Sequence, residues 1–171
     1  MNKSKLYVID FMIIAVLLLF DQFTKFLAVQ NLKDAAAFVL IKNVLEFDYL
    51  ENPGVAFGML QNYGTLFILV TTLILLLFVL YFMYRIPADK KYTILHVIFS
   101  AIIAGGIGNI IDRVRLGYVI DFISFVLIDF PTFNVADCYI VCATFTLFFV
   151  SVFVMKEEDL DFISFKKAKE N

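Results

Sequence analysis

GGIGNIIDRVRLGYVIDFISFVLIDFPTFNVAD, residues 105–137, decides the fold. It starts on glycines inside an apolar run, passes Asp112, Asp121 and Asp129, and closes on Asp137 as another apolar run begins. Carboxylates beside segments greasy enough to enter lipid are costly, so each needs a role. Asp121 stands in VIDF, which reads as extended chain. Asp137 opens the next apolar run, behind Asn134, a good helix N-cap residue. Pro131 between them gives the chain a place to turn back. The expectation is that Asp121 and Asp137 meet at a membrane edge and share one proton.

The rest of the chain supplies the membrane. Of its 171 residues, 62% are hydrophobic and 17% aromatic, and the mean hydropathy is +0.90. A soluble domain of this length has too small a core to hide that much apolar surface. The length suits a single domain, residues 1–171. Four stretches approach or reach the roughly 20 residues that a spanning helix requires. They run from Leu6 to Val29, Thr65 to Tyr84, Tyr92 to Ile111 and Val135 to Met155. Lys3 and Lys5 ahead of the first resemble the start of a cleaved leader. No small-x-small cleavage site follows, so a retained anchor is expected.

An even number of spans places both termini on one side. Residues 1–5, 85–91 and 156–171 would lie there, and residues 30–64 and 112–134 opposite. The first set holds nine of the fourteen basic residues, so the positive-inside rule puts both termini in the cytoplasm. Asp21 and all the unusual polar residues from Asp112 to Asp137 then converge on the outer face. The outer segments are more than plain loops. FVLIKNVLEFDYL, Phe38 to Leu50, reads as a short hairpin about Lys42 and Asn43, and Tyr118 to Phe125 could pair with it. The expected architecture is an α-helical membrane protein with four transmembrane helices and a small β-rich extracytoplasmic subdomain. VAFGML, Val55 to Leu60, is apolar beside Gly54 and Gly58 and could act as a lid. The charged tail after Met155 is expected to be a cytoplasmic helix or disordered.

Two carboxylates held close cannot both ionise, so the pair keeps a single proton and is base and acid at once. That equips it to hydrolyse a peptide bond without metal or cofactor. Acids at a membrane face could equally collect cations in a transport or channel subunit, or belong to a silent scaffold that binds lipidated peptides. The other polar residues read as structural. Asp112 is expected to pair with Arg113 and Arg115, Asp21 forms an i, i+4 pair with Lys25, and Asp129 is a solvated loop residue. Asp10 is expected to snorkel or to pair with a neighbouring helix, and His96 to make a buried polar contact. Asn109, four residues past Gly105, could hydrogen-bond the dyad. Cys138 and Cys142 read as small buried hydrophobes, with no second pair to complete a metal or redox site. A net charge of -2 with no basic stripe argues against nucleic acid.

DQFTK at 21–25, ENPGVAFG at 51–58, GNIIDR at 108–113, GYVIDF at 117–122 and FNVAD at 133–137 together resemble the bacterial lipoprotein signal peptidase family, signal peptidase II. The blocks occur in the family's order, and the resemblance extends from Leu6 to about Met155. GNxxDR followed by VxDF and FNxAD is highly specific, whereas DQxTK alone is weak. The departures are small: Ile120 stands where Val is common, and Pro53 fills a variable position. The resemblance implies an aspartyl endopeptidase of the cytoplasmic membrane, acting on the extracytoplasmic side. It would cut the signal peptide from diacylglyceryl-modified prolipoproteins, just before the lipidated cysteine. By motif, Asp121 and Asp137 look catalytic. Asn52, Gly54, Asn109, Asp112, Arg113, Asn134 and Ala136 look supporting or substrate-positioning, and Asp21 looks structural at the head of the site. No metal or cofactor is implied, the partners are substrate and membrane lipid, and a monomer is expected.

Overall fold

The computed structural model describes residues 2–54 and 64–163. Among these, four helices are long and apolar enough to cross a membrane. They are α1 (Lys3–Asn31), α2 (Gly64–Arg85), α3 (Thr93–Leu116) and α4 (Val135–Phe149), the last extended by a π-helical turn over Val150–Val154. Strands β1 (Phe38–Ile41) and β2 (Leu45–Asn52) follow α1, and β3 (Val119–Ser124) follows α3. The expected four-span helical protein with a small sheet is what forms.

α3 is the post on which the others pack. The apolar stretch of α3 is 56% buried, against 17% for α1 and 11% each for α2 and α4. The cause lies in its glycines. A Cβ on Gly105 would stand 2.6 Å from the Ala136 carbonyl oxygen, and one on Gly108 would stand 2.5 Å from an Asp21 carboxylate oxygen. Only glycine lets α3 approach α4 and α1 so closely, as in other membrane interfaces built on small residues. The outward faces of the other spans stay apolar and exposed, with Phe11, Leu19, Leu75, Phe145 and Phe148 directed away from the protein, as lipid requires.

The sheet has the order β1-β2-β3 and is antiparallel throughout. Its hairpin turns where expected, with Asn43 at φ 60°, a backbone conformation asparagine tolerates. Phe133 then docks on the open edge of β3. Its carbonyl accepts the Phe122 and Ile123 N–H groups at 3.0 and 2.8 Å, and its own N–H returns a bond to Ile123 at 3.0 Å. That pairing carries the chain back to the strand bearing Asp121 immediately before α4 begins. Ala28, Ile120 and Phe122, packed with Leu32, Phe47 and Val135, seat the sheet on the end of α1 and the start of α4.

One helix is longer than its apolar stretch. α3 does not stop at Ile111 but continues to Leu116, where Gly117 at φ 86° sends its N–H back to the Arg113 carbonyl at 3.0 Å. Asp112 and Arg113 therefore lie inside the last turns of a helix, not in the loop after it. The helix runs on past the apolar stretch because these charges are buried against protein partners. The tail after Met155, expected to be helical or disordered, forms a 3-10 helix over Glu157–Ile163. Asp159 accepts from the Lys156 N–H at 3.0 Å and pairs with Lys91, while Phe162 meets Tyr92 edge-on. The VAFGML stretch and residues 164–171 lie outside the described residues.

Gly105→Ala should lower stability by about 1–3 kcal/mol, the cost of overpacking. Gly106→Ala, whose new methyl would meet Leu76 at an ordinary 3.5 Å, should be neutral or slightly stabilising. Thermal unfolding of the two variants in one detergent checks the contrast.

Candidate active site

The strand and the helix start that Phe133 brings together deliver the two acids. Asp121 sits on β3 and is only 2% exposed. Asp137 is the third residue of α4, where the helix cap fixes it. Asn134 accepts the Asp137 N–H on its side-chain oxygen at 3.0 Å, and the Asp137 carboxylate accepts the Asn134 N–H at 3.2 Å. This reciprocal capping box satisfies backbone donors that a helix start would otherwise leave open. The same Asn134 side chain donates through Nδ2 to Asp121 Oδ1 at 2.6 Å. One asparagine thus holds both carboxylates.

A second amide reinforces the first. Asn109 Nδ2 donates to Asp137 Oδ1 at 2.9 Å, and its Oδ1 accepts from Asn134 Nδ2 at 3.2 Å. Asn52, at the end of β2, donates to Asp121 Oδ2 at 2.8 Å and accepts the Gly54 N–H at 2.9 Å. Arg113 closes that turn by donating to the Gly54 carbonyl at 2.8 Å and to the Asn109 carbonyl at 3.2 Å.

Under this layer lies an ion cluster. Lys25 is 1% exposed, and its Nζ stands 3.1 Å from Asp21 Oδ2 and 2.8 Å from Asp112 Oδ2. It also donates to Asn109 Oδ1 at 2.9 Å. An ammonium can only donate, so it fixes which end of the Asn109 amide is oxygen and turns the NH2 group toward Asp137. Asp21 accepts the Ala136 N–H at 3.0 Å, Asp112 accepts the Ile120 N–H at 3.3 Å, and Gln22 bonds both acids. The cluster therefore ties α1, α3, β3 and α4 to one point.

All the site residues named from the motif blocks fall within this network, Ala136 through its backbone. Two readings are corrected. Asp112 pairs with Lys25 rather than with Arg113 or Arg115, because α3 turns it inward toward α1. Cys138 and Cys142 are not buried hydrophobes: one is half-buried, the other exposed, and both line the cleft beside Asp137. Asp21 and Lys25 form the expected i, i+4 pair, and it is fully buried. Asp129 is exposed, as expected, at φ 49°. Lys25 and Gln22 went unrecognised as site residues. The available signal was a lysine in a span with one acid a turn away, since a cation inside a membrane protein calls for more compensation than that.

Asp121, Asp137, Asn52, Asn109 and Arg113 open onto a cleft of about 490 Å³, walled otherwise by apolar groups including Phe125, Phe130, Phe133 and Val141. Burial pushes the Asp121 carboxyl up to about 6, against the hydrogen bond from Asn52, with the nearby Asp137 adding to the rise. A carboxyl that holds its proton into this range beside a second carboxylate can donate while its neighbour accepts. Four spans with such a pair at one end of an apolar cleft define the class of membrane-embedded aspartic proteases.

Comparison narrows the class. The family model for signal peptidase (SPase) II matches residues 13–153. A protein of Caldanaerobacter subterraneus subsp. tengcongensis named lipoprotein signal peptidase is 43% identical over 82% of this chain and 94% of its own length. A protein of the same name from Clostridioides difficile is 38% identical over 82% and 95%. A bacterial membrane enzyme structure determined by the in meso method aligns with a TM-score of 0.72 at 29% identity, covering 94% of each chain. The chain belongs to the signal peptidase II family and is a protease of the aspartic type.

Lys25→Met should cost about 3–5 kcal/mol, because Asp21 and Asp112 would stay buried without a counter-ion. A drop in thermal stability far larger than that of Lys33→Met, whose ion pair with Glu51 is at the surface, is the expected result.

Proposed function

We propose that this chain removes the signal peptide from diacylglyceryl-modified prolipoproteins, cutting before the lipidated cysteine, with Asp121 and Asp137 as the catalytic residues. The observation that carries the reading is the bridging of these two carboxylates by one asparagine on the wall of an otherwise apolar cleft. Asp137 lies at the positive end of the α4 dipole, which favours negative charge there. It takes a proton from water as the oxygen attacks the scissile carbonyl. Asp121, the partner that holds its proton, donates it to the carbonyl oxygen. Collapse of the tetrahedral diol returns a proton to the leaving nitrogen and restores the shared-proton state. Asn52, Asn109 and Asn134 hold the carboxylates in place. Arg113, through Gly54, keeps Asn52 directed at Asp121.

The remaining parts follow from the same reading. The phenylalanine-lined side of the cleft takes the acyl chains of the substrate, which remain in lipid while the peptide bond meets the acids. Both termini lie in the cytoplasm and the acids at the outer face of the cytoplasmic membrane, on the strength of the lysine and arginine distribution. The site is complete within one chain, which suits a monomer. Residues 6–29, 65–84, 92–111 and 135–155 form the lipid-crossing part of one protease domain.

Purified protein given a diacylglyceryl-modified prolipoprotein should release the signal peptide, and the unmodified precursor should be cut poorly. Asp121→Asn and Asp137→Asn should each abolish release while unfolding at temperatures close to the parent's. Retained cleavage in either variant would remove that residue from the mechanism.

The proton on Asp121 also sets a pH dependence. The folded value near 6 lies above the roughly 3.9 of an unfolded aspartate, so the folded state binds this proton more tightly. Its contribution to stability is full below about pH 4 and is lost as pH rises through 6. In kinetics, the alkaline limb of kcat/KM should report the loss of this proton. The same limb in kcat should lie at higher pH, because bound substrate dries the cleft further.

A further inference from the structure

Both thiols of the chain face the cleft that holds the acids. Cysteine occurs twice in the sequence, at positions 138 and 142. Both residues are free, and both line the cleft beside Asp121 and Asp137. The proposed hydrolysis uses neither. They stand four residues apart on α4 and so share one stripe of the helix. Cys138 is half-buried next to Asp137, and Cys142 is exposed. Cys142 lies one turn further into the span, about 6 Å along the helix axis. Val141, on the same wall, is 51% exposed. On a helix that crosses lipid, such exposure is to acyl chains. The cleft therefore opens sideways into the leaflet along this face of α4.

Spacing and donor count decide what the thiols can take. Cβ atoms at i and i+4 stand roughly 5–6 Å apart, and a disulfide spans only about 3.5–4.5 Å. An intact α4 thus keeps the two as separate thiols. Among the described residues no third histidine, cysteine or carboxylate joins them in a group able to hold a metal ion. What remains is the reaction of one thiol with a soft electrophile. The surroundings narrow that electrophile further. Walls that include Phe125, Phe130 and Val141, with a mouth on lipid, favour a molecule with an aliphatic tail, whose transfer out of water improves with every methylene.

We propose that Cys142 is a covalent modification site for lipid-borne α,β-unsaturated carbonyl compounds, and that the adduct stops the protease by filling the cleft. The sulfur bonds to the β-carbon, the carbon–carbon π bond breaks, and the thiol proton ends on the α-carbon. The addition needs no oxidant and releases no leaving group. Cys138, less accessible and closer to Asp137, stays unmodified. The block of cleavage rests on the peptidase reading, whereas the modification itself does not.

The test places the full chain in dioleoyl phosphatidylcholine vesicles and treats it with N-octylmaleimide or with a sulfonated maleimide that stays in water. Peptide mass spectrometry locates the adduct, and cleavage of diacylglyceryl-modified prolipoprotein is followed in parallel. N-octylmaleimide should add once per chain, at Cys142, and at least about tenfold faster than the sulfonated reagent, as its partition into lipid requires. Cleavage should fall in proportion to the labelled fraction. After the same treatment Cys142→Ser should keep its own untreated rate, while Cys138→Ser should lose activity as the parent does. Full cleavage by fully labelled protein, equal loss in Cys142→Ser, an adduct on Cys138 alone, or equal labelling by the two reagents overturns the proposal. Untreated protein that leaves the prolipoprotein uncut refutes the peptidase reading instead, and labelling read by mass still decides whether the site exists.

Discussion

Lys25 sits where three helices and a strand come together, and the geometry of the site depends on its charge. A buried ammonium between two buried carboxylates is costly unless every hydrogen is directed at an acceptor. Here the acceptors are Asp21, Asp112 and Asn109. Satisfying the lysine sets the Asn109 amide, and that amide in turn presents its NH2 group to Asp137. The same two acids hold the Ala136 and Ile120 N–H groups, so α4 and β3 are fastened to the cluster that α1 and α3 build. A region rigid enough to keep two carboxylates together thus comes from electrostatics rather than from apolar packing, which in lipid supplies little drive of its own.

Close packing makes those short contacts possible. Gly105 and Gly108 bring α3 within reach of the Ala136 carbonyl and the Asp21 carboxylate, positions that a methyl group would occupy. The Phe133 bridge to β3 then sets where α4 starts. Asn134 follows directly, so one residue serves as helix cap and as link between the acids. Helix capping and positioning of the acids are here a single requirement.

Much of this could be read from the residues. Apolar length indicated the four helices, Val, Ile, Phe and Tyr enrichment on either side of Lys42-Asn43 indicated the hairpin, and Asn134 ahead of an apolar run announced a capped helix. The motif blocks pointed to Asp121 and Asp137, and they named Asn52, Gly54, Asn109, Arg113 and Asn134 without saying what each one touches. The failures share a cause. α3 outran its hydropathy because Asp112 and Arg113 are paid for by partners on other elements. Asp112 was given the arginines next to it in the chain, whereas α3 directs it across to α1. Lys25 looked like half of an ordinary i, i+4 pair, and the cysteines looked buried, because neither reading can see what stands opposite.

The sequence alone determined what depends on local composition and order: spans long enough for lipid, a hairpin, a helix start, and two acids at the borders of apolar segments. Tertiary structure decided which of the acids stand together and which merely support them. Asp21 and Asp112 both pair with Lys25, while Asp121 and Asp137 share amide donors and face an apolar cleft. The four have the same side chain, and only the partners that each meets across the fold set their charge and hydrogen bonding. Those partners come from helices and strands far away along the chain, and a linear reading cannot assign them.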